Sequence, residues 1–232
     1  MKDTLIFIPV INELENLKQL LKKIFFLYPN ISLLIIDDNS DDGTDKWIKS
    51  LNKKKINYIK RNNRFGIGDA HYTAILWAYK NRFKKIITMD GDLSHDPLII
   101  KRFIKKSNLK TDLIFSSRYN NKINHYKDWP IIKKIINKLG RLIIIIFFDI
   151  KYDITSGFRL YNLNQIPIDD FKRLRKFMNY EFFIVSGIRF INKFKASQIF
   201  IDMPYRVSGN SKMKLKHLII WFITIFKLKF FD

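Results

Sequence analysis

The chain has 232 residues, 47% of them hydrophobic, and a net charge of +22. Its length and hydrophobic content fit one sizeable domain with its own core, and the absence of cysteine excludes disulfide bonds and thiolate metal sites. The charge favours anionic partners such as nucleotide phosphates, nucleic acid or an anionic membrane face, although a composition rich in Lys, Ile and Asn is also what a strongly AT-biased genome produces.

The first half of the chain alternates short apolar runs with amphipathic segments. The apolar runs predict five buried strands, at residues 5–8, 33–36, 56–59, 86–89 and 112–116. The amphipathic segments predict helices at residues 16–26, 45–51, 66–79 and 97–106. Such alternation with short loops predicts an α/β domain with a mostly parallel, doubly wound sheet.

Polar loops follow four of the predicted strands. They read PVINE (9–13), DDNSDDG (37–43), DGDLS (90–94) and SSRY (116–119). Because ligands of doubly wound sheets lie beyond the carboxyl ends of the strands, we expect these loops to meet at one edge and form a binding site. Asp90 and Asp92 alternate at a strand end, where two carboxylates can converge on one hard cation, Mg²⁺ or Mn²⁺.

Two basic amphipathic segments are predicted in the second half. Residues 129–149 carry four basic side chains within an apolar pattern that is too short to span a bilayer. A helix at a membrane surface fits this pattern, and an ordinary helix packed on the sheet is the alternative. Residues 215–231 are mostly apolar between flanking lysines, which predicts a second in-plane helix or one that needs a membrane partner.

Further elements lie between these two segments. A polar turn, a helix and an edge strand are predicted at residues 153–159, 177–191 and 199–204, respectively. The loop at 205–212 is basic and contains a glycine. Its Arg206 and Lys212 suit it to grip phosphate, and a flexible linker is the alternative.

Seven motifs cover nearly the whole chain: PVINELENL (9–17), IIDDNSDDGT (35–44), GIGDA (66–70), MDGDLSHDP (89–97), SSRY (116–119), DITSGFRLY (153–161) and RVSGNSK (206–212). In this order they resemble the polyprenyl-phosphate sugar transferases, and most of all the dolichol-phosphate mannosyltransferases. These are inverting family 2 glycosyltransferases, so the resemblance implies a glycosyltransferase-A fold. Within this family, the DLSH and TSGFR sequences are the motifs that best distinguish the polyprenyl-phosphate branch from the other branches.

The resemblance also implies roles for particular residues. Those implied to bind the nucleotide sugar are Pro9, Ile11, Glu13, Ile36, Asp38, Asp90, Gly91, Asp92, Arg118, Arg206 and Lys212. Those implied to hold Mg²⁺ or Mn²⁺ are Asp90, Asp92 and Ser94, and those implied to bind the acceptor phosphate are Arg118, Lys133 and Asn137. The resemblance further implies that Asp92 and Arg118 are the catalytic pair, with the cation and the arginine offsetting charge on the leaving diphosphate.

The implied activity is inverting transfer of a hexose, mannose from GDP-mannose, to dolichyl or polyprenyl phosphate. A lipid phosphate is already ionised at neutral pH, so no strong general base is required, and we predict that His95 is a structural partner in its turn. The alternatives are another nucleotide sugar of the UDP-glucose type, a hydroxyl acceptor, or a non-catalytic basic module that binds membrane or nucleic acid.

The chain departs from the family pattern at three places. The replacements are Val10 and Ile11 for Thr-Tyr, Phe183 and Val185 for Gln and Glu, and Lys133 and Asn137 for the Arg and Ser at the acceptor phosphate. Lysine keeps the positive charge but loses the bidentate fork of arginine. The acceptor geometry and the identity of the sugar therefore stay open.

The expected organisation is a catalytic domain at residues 1–212, including an interface helix at about 129–149, and a membrane-associating segment at 213–232. The N-terminus leads straight into the first strand without a cleavable signal, which predicts a peripheral protein on the cytoplasmic side of a membrane. The predicted partners are a nucleotide sugar, a polyprenyl or dolichyl phosphate and the membrane surface, without nucleic acid. Whether the protein also binds a small membrane-embedded partner subunit is left open by the sequence.

Overall fold

A computed structural model describes residues 2–51, 53–119, 129–203 and 215–231. Within these ranges one sheet contains seven strands, β1 (Thr4–Val10), β2 (Ser32–Asp37), β3 (Ile56–Lys60), β4 (Lys85–Thr88), β5 (Leu113–Ser117), β6 (Arg159–Asn162) and β7 (Ala196–Phe200). The same ranges contain eight helices, α1 (Leu14–Leu27), α2 (Thr44–Ser50), α3 (Ile67–Lys80), α4 (Ile99–Ser107), α5 (Ile131–Phe148), α6 (Ile168–Lys172), α7 (Glu181–Ile191) and α8 (Leu215–Phe230).

The strands follow the order β3-β2-β1-β4-β6-β5-β7 across the sheet. Neighbouring strands are parallel except at β6, which runs antiparallel between β4 and β5. The predicted α/β class with a mostly parallel sheet is therefore confirmed. All five strands predicted in the first half are present, and the four predicted helices correspond to α1 through α4.

The second half differs more from the prediction. The sequence pattern does not predict β6 or α6, and it sets the last strand at 199–204, three residues later than β7 begins. The pattern misses β6 because this strand has four residues and begins with Arg159, which belongs to a polar turn in sequence but is fully buried in the fold. The helix predicted from residue 177 begins at Glu181.

Two apolar layers cover the faces of the sheet. Successive side chains of β1 alternate between them, with Leu5 and Phe7 in one layer and Ile6 and Ile8 in the other. Helices α3 and α7 supply the first layer, and α1 and α4 supply the second. With helices on both faces, ligands can approach at the strand ends.

The polar loops meet at the edge formed by the carboxyl ends of the parallel strands, as predicted. The loops after β1 and β2 are bonded together: the backbone N–H of Asn12 donates to Ser40 Oγ at 2.9 Å, and that of Asp41 donates to Asn12 Oδ1 at 3.0 Å. Because β6 is antiparallel, the turn that precedes it reaches the same edge. There the hydroxyl groups of Ser116 and Ser156 share a hydrogen bond.

Helices α5 and α8 contact each other and expose many apolar side chains. A Cβ added at Gly140 would lie 3.2 Å from the Trp221 ring, and Lys229 Nζ donates to the carbonyl of Phe147 at 2.6 Å. Of the α5 residues only Ile144 is buried, which argues against the alternative of an ordinary core helix. The most exposed apolar residues of the two helices are Ile131, Ile132, Ile146, Leu215, Ile219, Phe226 and Phe230. None of the helices in the described ranges has the length and apolarity needed to cross a bilayer.

Candidate active site

The DGDLS loop after β4 is held in shape by its own side chains. The Asp92 carboxylate accepts hydrogen bonds from the backbone N–H of Ser94 at 3.1 Å and from its hydroxyl at 2.6 Å. Between them Leu93 has a φ of 64°, an unusual backbone conformation for a bulky residue and one that is found preferentially at functional sites. The loop therefore presents Asp90, Asp92 and Ser94 in a fixed arrangement.

The buried side chain of His95 stabilises this loop. Its Nδ1 accepts the backbone N–H of Asp90 at 2.9 Å, and its ring stacks on Phe158. This hydrogen bond occupies Nδ1 within the turn. The prediction that His95 is a structural partner in the turn is confirmed.

Two glycines let neighbouring segments pack closely against the DGDLS loop. A Cβ at Gly91 would lie 3.1 Å from Val10 Cγ1, so the glycine allows the loop to pack against the end of β1. A Cβ at Gly157 would lie 3.3 Å from Asp90 Oδ1. The absence of a side chain at Gly91 thus makes room for the end of β1, and its role in binding the nucleotide sugar stays a prediction.

Arg118, at the end of β5, is fixed by a residue that sequence reasoning did not select. Its Nε and Nη2 donate to the two carboxylate oxygens of Asp153, each at 2.8 Å, and Nη2 also donates to Thr155 Oγ1. Burial alone would raise the pKa of Asp153, but the charge and hydrogen bonds of Arg118 outweigh it and hold that pKa below its ordinary value. The only sequence signal for Asp153 is its place at the head of the DITSGFRLY motif.

A cavity of about 500 Å³ joins these groups to the exposed helices. Its polar lining includes Asp90, Asp92, Ser94, Arg118, Lys133, Asn137, Arg141 and Thr155. Its apolar lining includes Ile132, Ile136, Phe183, Leu218, Trp221 and Phe222. The residues predicted to bind the metal and the acceptor phosphate thus line one cavity, whose composition suits a ligand with an anionic head and an apolar stem.

The residues predicted to bind the nucleotide sugar divide between the cavity and the adjoining strand ends. Asp90, Asp92 and Arg118 line the cavity, whereas the other described members do not: Pro9, Ile11, Glu13, Ile36, Asp38 and Gly91. Pro9 and Ile11 are partly exposed, and Glu13 Oε2 accepts from Asn16 Nδ2 at 2.6 Å. Ile36 is fully buried in the core, so it has no surface to offer to a ligand in this structure. Gly91 belongs to the loop that lines the cavity and packs against β1, so it lies between the cavity and the strand ends predicted to bind the nucleotide.

Asp38 belongs to a charged network at the end of β2. One of its oxygens accepts from Arg61 Nη1 at 2.8 Å and the other from the backbone N–H of Gly66 at 3.1 Å, while Arg61 also pairs with Asp69 at 2.8 Å. Burial raises the pKa of Asp38, and the charge of Arg61 offsets only part of that effect. The carboxylate keeps further lone pairs with which it could accept from a nucleobase N–H.

Arg206 and Lys212 lie outside the described residues, as does the predicted domain boundary between residues 212 and 213. Helix α8 follows that boundary and contributes Leu218, Trp221 and Phe222 to the cavity lining. The segment predicted only to bind a membrane therefore also forms part of the site.

The donor set at the end of β4 fits a hard divalent cation. Two carboxylates and a hydroxyl are oxygen ligands of the kind that Mg²⁺ and Mn²⁺ prefer, and Mg²⁺ normally completes its shell with water and substrate phosphate. Across the described part of the chain no cluster of three or more His, Cys, Asp or Glu residues could form an all-protein metal cage. Asp90, Asp92 and Ser94 thus fit a metal shared with a bound diphosphate.

A doubly wound sheet with an acidic loop and an arginine at its carboxyl edge is the arrangement that the sequence motifs predict for a glycosyltransferase. The model of the family described as "Glycosyl transferase family 2" matches residues 5–200. The chain belongs to this family and is a glycosyltransferase, so the membership inferred from its motifs is confirmed.

Three relatives carry names of enzymes that join mannose to a lipid phosphate. A polyprenol monophosphomannose synthase from Mycolicibacterium smegmatis is 28% identical over 90% of this chain and 80% of its own length. An undecaprenyl-phosphate mannosyltransferase from Micrococcus luteus is 28% identical over 72% of this chain and 69% of its own length. A dolichol-phosphate mannosyltransferase from Pyrococcus furiosus is 30% identical over 66% of this chain but only 44% of its own length.

A solved structure shows the same fold. Glucosyl-3-phosphoglycerate synthase from Mycobacterium tuberculosis, in complex with Mn²⁺, UDP-glucose and glycerol 3-phosphate, superposes with a TM-score of 0.68 at 15% identity. The match covers 97% of this chain and 79% of that one. The fold of this chain is therefore the glycosyltransferase-A fold that its motifs imply.

Proposed function

We propose that the protein transfers a hexose, mannose from GDP-mannose, to a dolichyl or polyprenyl phosphate with inversion at the anomeric carbon, on the cytoplasmic face of a membrane. The observation that carries this proposal is the cavity that runs from Asp90, Asp92 and Arg118 to the apolar side chains of α5 and α8. A lipid phosphate has the same division into anionic head and apolar stem. The names of the three relatives support the same acceptor class and the same sugar.

The donor would bind across the ends of β1, β2 and β4. Pro9, Ile11 and Glu13 would contact the nucleoside, and Asp38 would accept from the base. Asp90, Asp92 and Ser94 would hold Mg²⁺ or Mn²⁺, which when bound would offset the charge on the leaving diphosphate. Arg206 and Lys212 would close over the diphosphate from the far side.

The acceptor phosphate would bind beside Arg118, with Lys133 and Asn137 on the facing helix. Asp153 orients Arg118 before any ligand arrives, so the positive charge needs no reorganisation during the reaction. The attacking phosphate oxygen is already ionised and needs no base. This agrees with the use of His95 Nδ1 as a backbone acceptor.

Helices α5 and α8 would lie in the plane of the membrane. Their exposed apolar residues are flanked by basic side chains, and neither helix contains Asp or Glu, which suits an anionic lipid surface. Flotation with anionic and neutral vesicles at low and high salt tests this, and we expect salt-sensitive binding to the anionic vesicles. Failure to bind either vesicle would instead favour a membrane partner subunit as the attachment.

The decisive assay supplies purified protein with polyprenyl phosphate, Mn²⁺ and labelled GDP-mannose or UDP-glucose. UDP-glucose belongs in the comparison because the structural neighbour is a complex with that nucleotide sugar. We expect mannosyl transfer to the lipid phosphate, and at least about a 100-fold lower kcat for Asp92→Ala. Asp96→Asn is the matched control, because Asp96 lies on the same loop but pairs with Lys23 outside the cavity. The proposal fails if neither sugar reaches the lipid phosphate.

A further inference from the structure

One face of α5 lines the cavity over three successive helical turns. Ile132 with Lys133, Ile136 with Asn137, and Gly140 with Arg141 each contribute an apolar or small residue and a polar one. The polar members lie four residues apart, so they form a stripe about 12 Å long on one side of the helix. The family pattern accounts for the first two positions of this stripe, whereas Arg141 has no assigned role.

Arg141 lies close to the arginine already placed at the acceptor phosphate. Its guanidinium carbon is 4.1 Å from the centre of the Tyr119 ring, and that of Arg118 is 5.7 Å from the same centre. The two guanidinium groups therefore contact one aromatic ring, and both line the cavity. Because both side chains line the same cavity, an anion bound there could contact both.

The two arginines differ in whether a carboxylate of the protein neutralises their charge. Arg118 is paired with Asp153, whereas none of the carboxylates in the described ranges forms an ion pair with Arg141. The Nε of Arg141 is buried and has no hydrogen-bond partner among the described residues. Buried donors and charges are normally compensated, so this side chain is poised for an anionic ligand.

We propose that Arg141 binds the phosphate of the lipid acceptor together with Arg118. Lys133 can supply only a point charge, whereas a guanidinium binds phosphate through two parallel hydrogen bonds. Arg141, two turns further along the same face, supplies a guanidinium that can form these two hydrogen bonds to the phosphate. This inference rests on the proposed function, since it specifies how the same acceptor is held.

The test compares Arg141→Gln with Lys138→Gln. Both variants remove one positive charge from α5, but Lys138 is exposed and does not line the cavity. With a short, water-soluble prenyl phosphate as acceptor, we expect Arg141→Gln to raise the KM for the acceptor about tenfold or more, with the KM for the nucleotide sugar unchanged. Lys138→Gln should match the wild type. Equal effects of the two variants, or no effect of Arg141→Gln, would overturn the proposal.

A binding measurement separates this inference from the proposed function. Titration calorimetry without nucleotide sugar should show weaker binding of the prenyl phosphate to Arg141→Gln and equal binding of the corresponding prenyl alcohol. If the wild type binds the phosphate without transferring sugar to it, the function fails while the role of Arg141 stands. If Arg141→Gln does not fold, Arg141→Lys carries the test: it keeps the charge, and a KM for the acceptor equal to that of the wild type refutes the bidentate grip.

Discussion

Arg118 and Asp153 form a buried, two-bond ion pair that joins the end of β5 to the turn before β6. The 2.8 Å bonds to both carboxylate oxygens fix the plane of the guanidinium, and Gly157 of the same turn lies against Asp90. One turn therefore contacts both the arginine proposed for the acceptor phosphate and an aspartate proposed for the metal. This contact couples the two halves of the candidate site.

Asp153→Asn should lower kcat/KM about 10- to 100-fold, because a misplaced Arg118 no longer meets the phosphate in the correct geometry. Steady-state kinetics with the lipid phosphate varied at fixed nucleotide sugar measure the change. A double-mutant cycle with Arg118→Gln supplies the control. If Asp153 acts through Arg118, the double variant is no slower than Arg118→Gln alone, and additive losses would disprove that route.

The same pair predicts how stability depends on acidity. The pKa of Asp153 is held below its ordinary value of 3.8 in the folded state, so the unfolded state binds more protons as the pH falls through this range. The stabilisation is present above pH 3.8 and is lost as the pH falls through the folded-state pKa. Urea unfolding should show Asp153→Asn about 3 kcal/mol less stable at pH 7, with the gap narrowing below pH 3.8. A gap that does not change with pH would contradict the assignment.

Gly91 allows a prediction about local packing. A Cβ at this position would lie 3.1 Å from Val10 Cγ1, so Gly91→Ala should cost about 1–3 kcal/mol and weaken Mn²⁺ binding by displacing the DGDLS loop. Val10→Ala removes that contact and should recover part of both losses in the double variant. Thermal unfolding and Mn²⁺ titration measure the two effects, and a double variant no better than Gly91→Ala would show that Val10 is not the obstacle.

The part of the site that sequence predicts is the part encoded locally. Asp90, Asp92 and Ser94 fall together because they share one loop, and their meeting with Arg118 follows from the parallel strands that precede both. The Arg118–Asp153 pair joins residues 35 positions apart, and no periodicity marks it. The helical period of α5 predicts an amphipathic helix, but whether Lys138 or Arg141 faces the cavity depends on how α8 and α7 pack around it.

Arg159 is the residue whose role is least visible in sequence. It is fully buried at the head of β6, between the rings of Phe115 and Phe183, whose centres lie 5.0 and 5.1 Å from its guanidinium carbon. Its guanidinium donates to the carbonyls of Ile154, Ser156 and Phe183 and to the hydroxyls of Tyr161 and Ser186. These bonds attach the turn at 153–157 to α7 and thereby support Asp153.

Arg159→Lys should therefore destabilise the fold by about 3 kcal/mol or more, because lysine keeps the charge but leaves several buried carbonyls without donors. Hydrogen exchange should also rise in the peptide that covers the 153–157 turn. Leu160→Val, at the next position of the same strand, destabilises the opposite layer of the core and should leave that turn protected. The two variants are compared under conditions that give them the same free energy of unfolding. If hydrogen exchange in the 153–157 turn then rises equally in both, Arg159 stabilises the fold as a whole and has no specific effect on this turn.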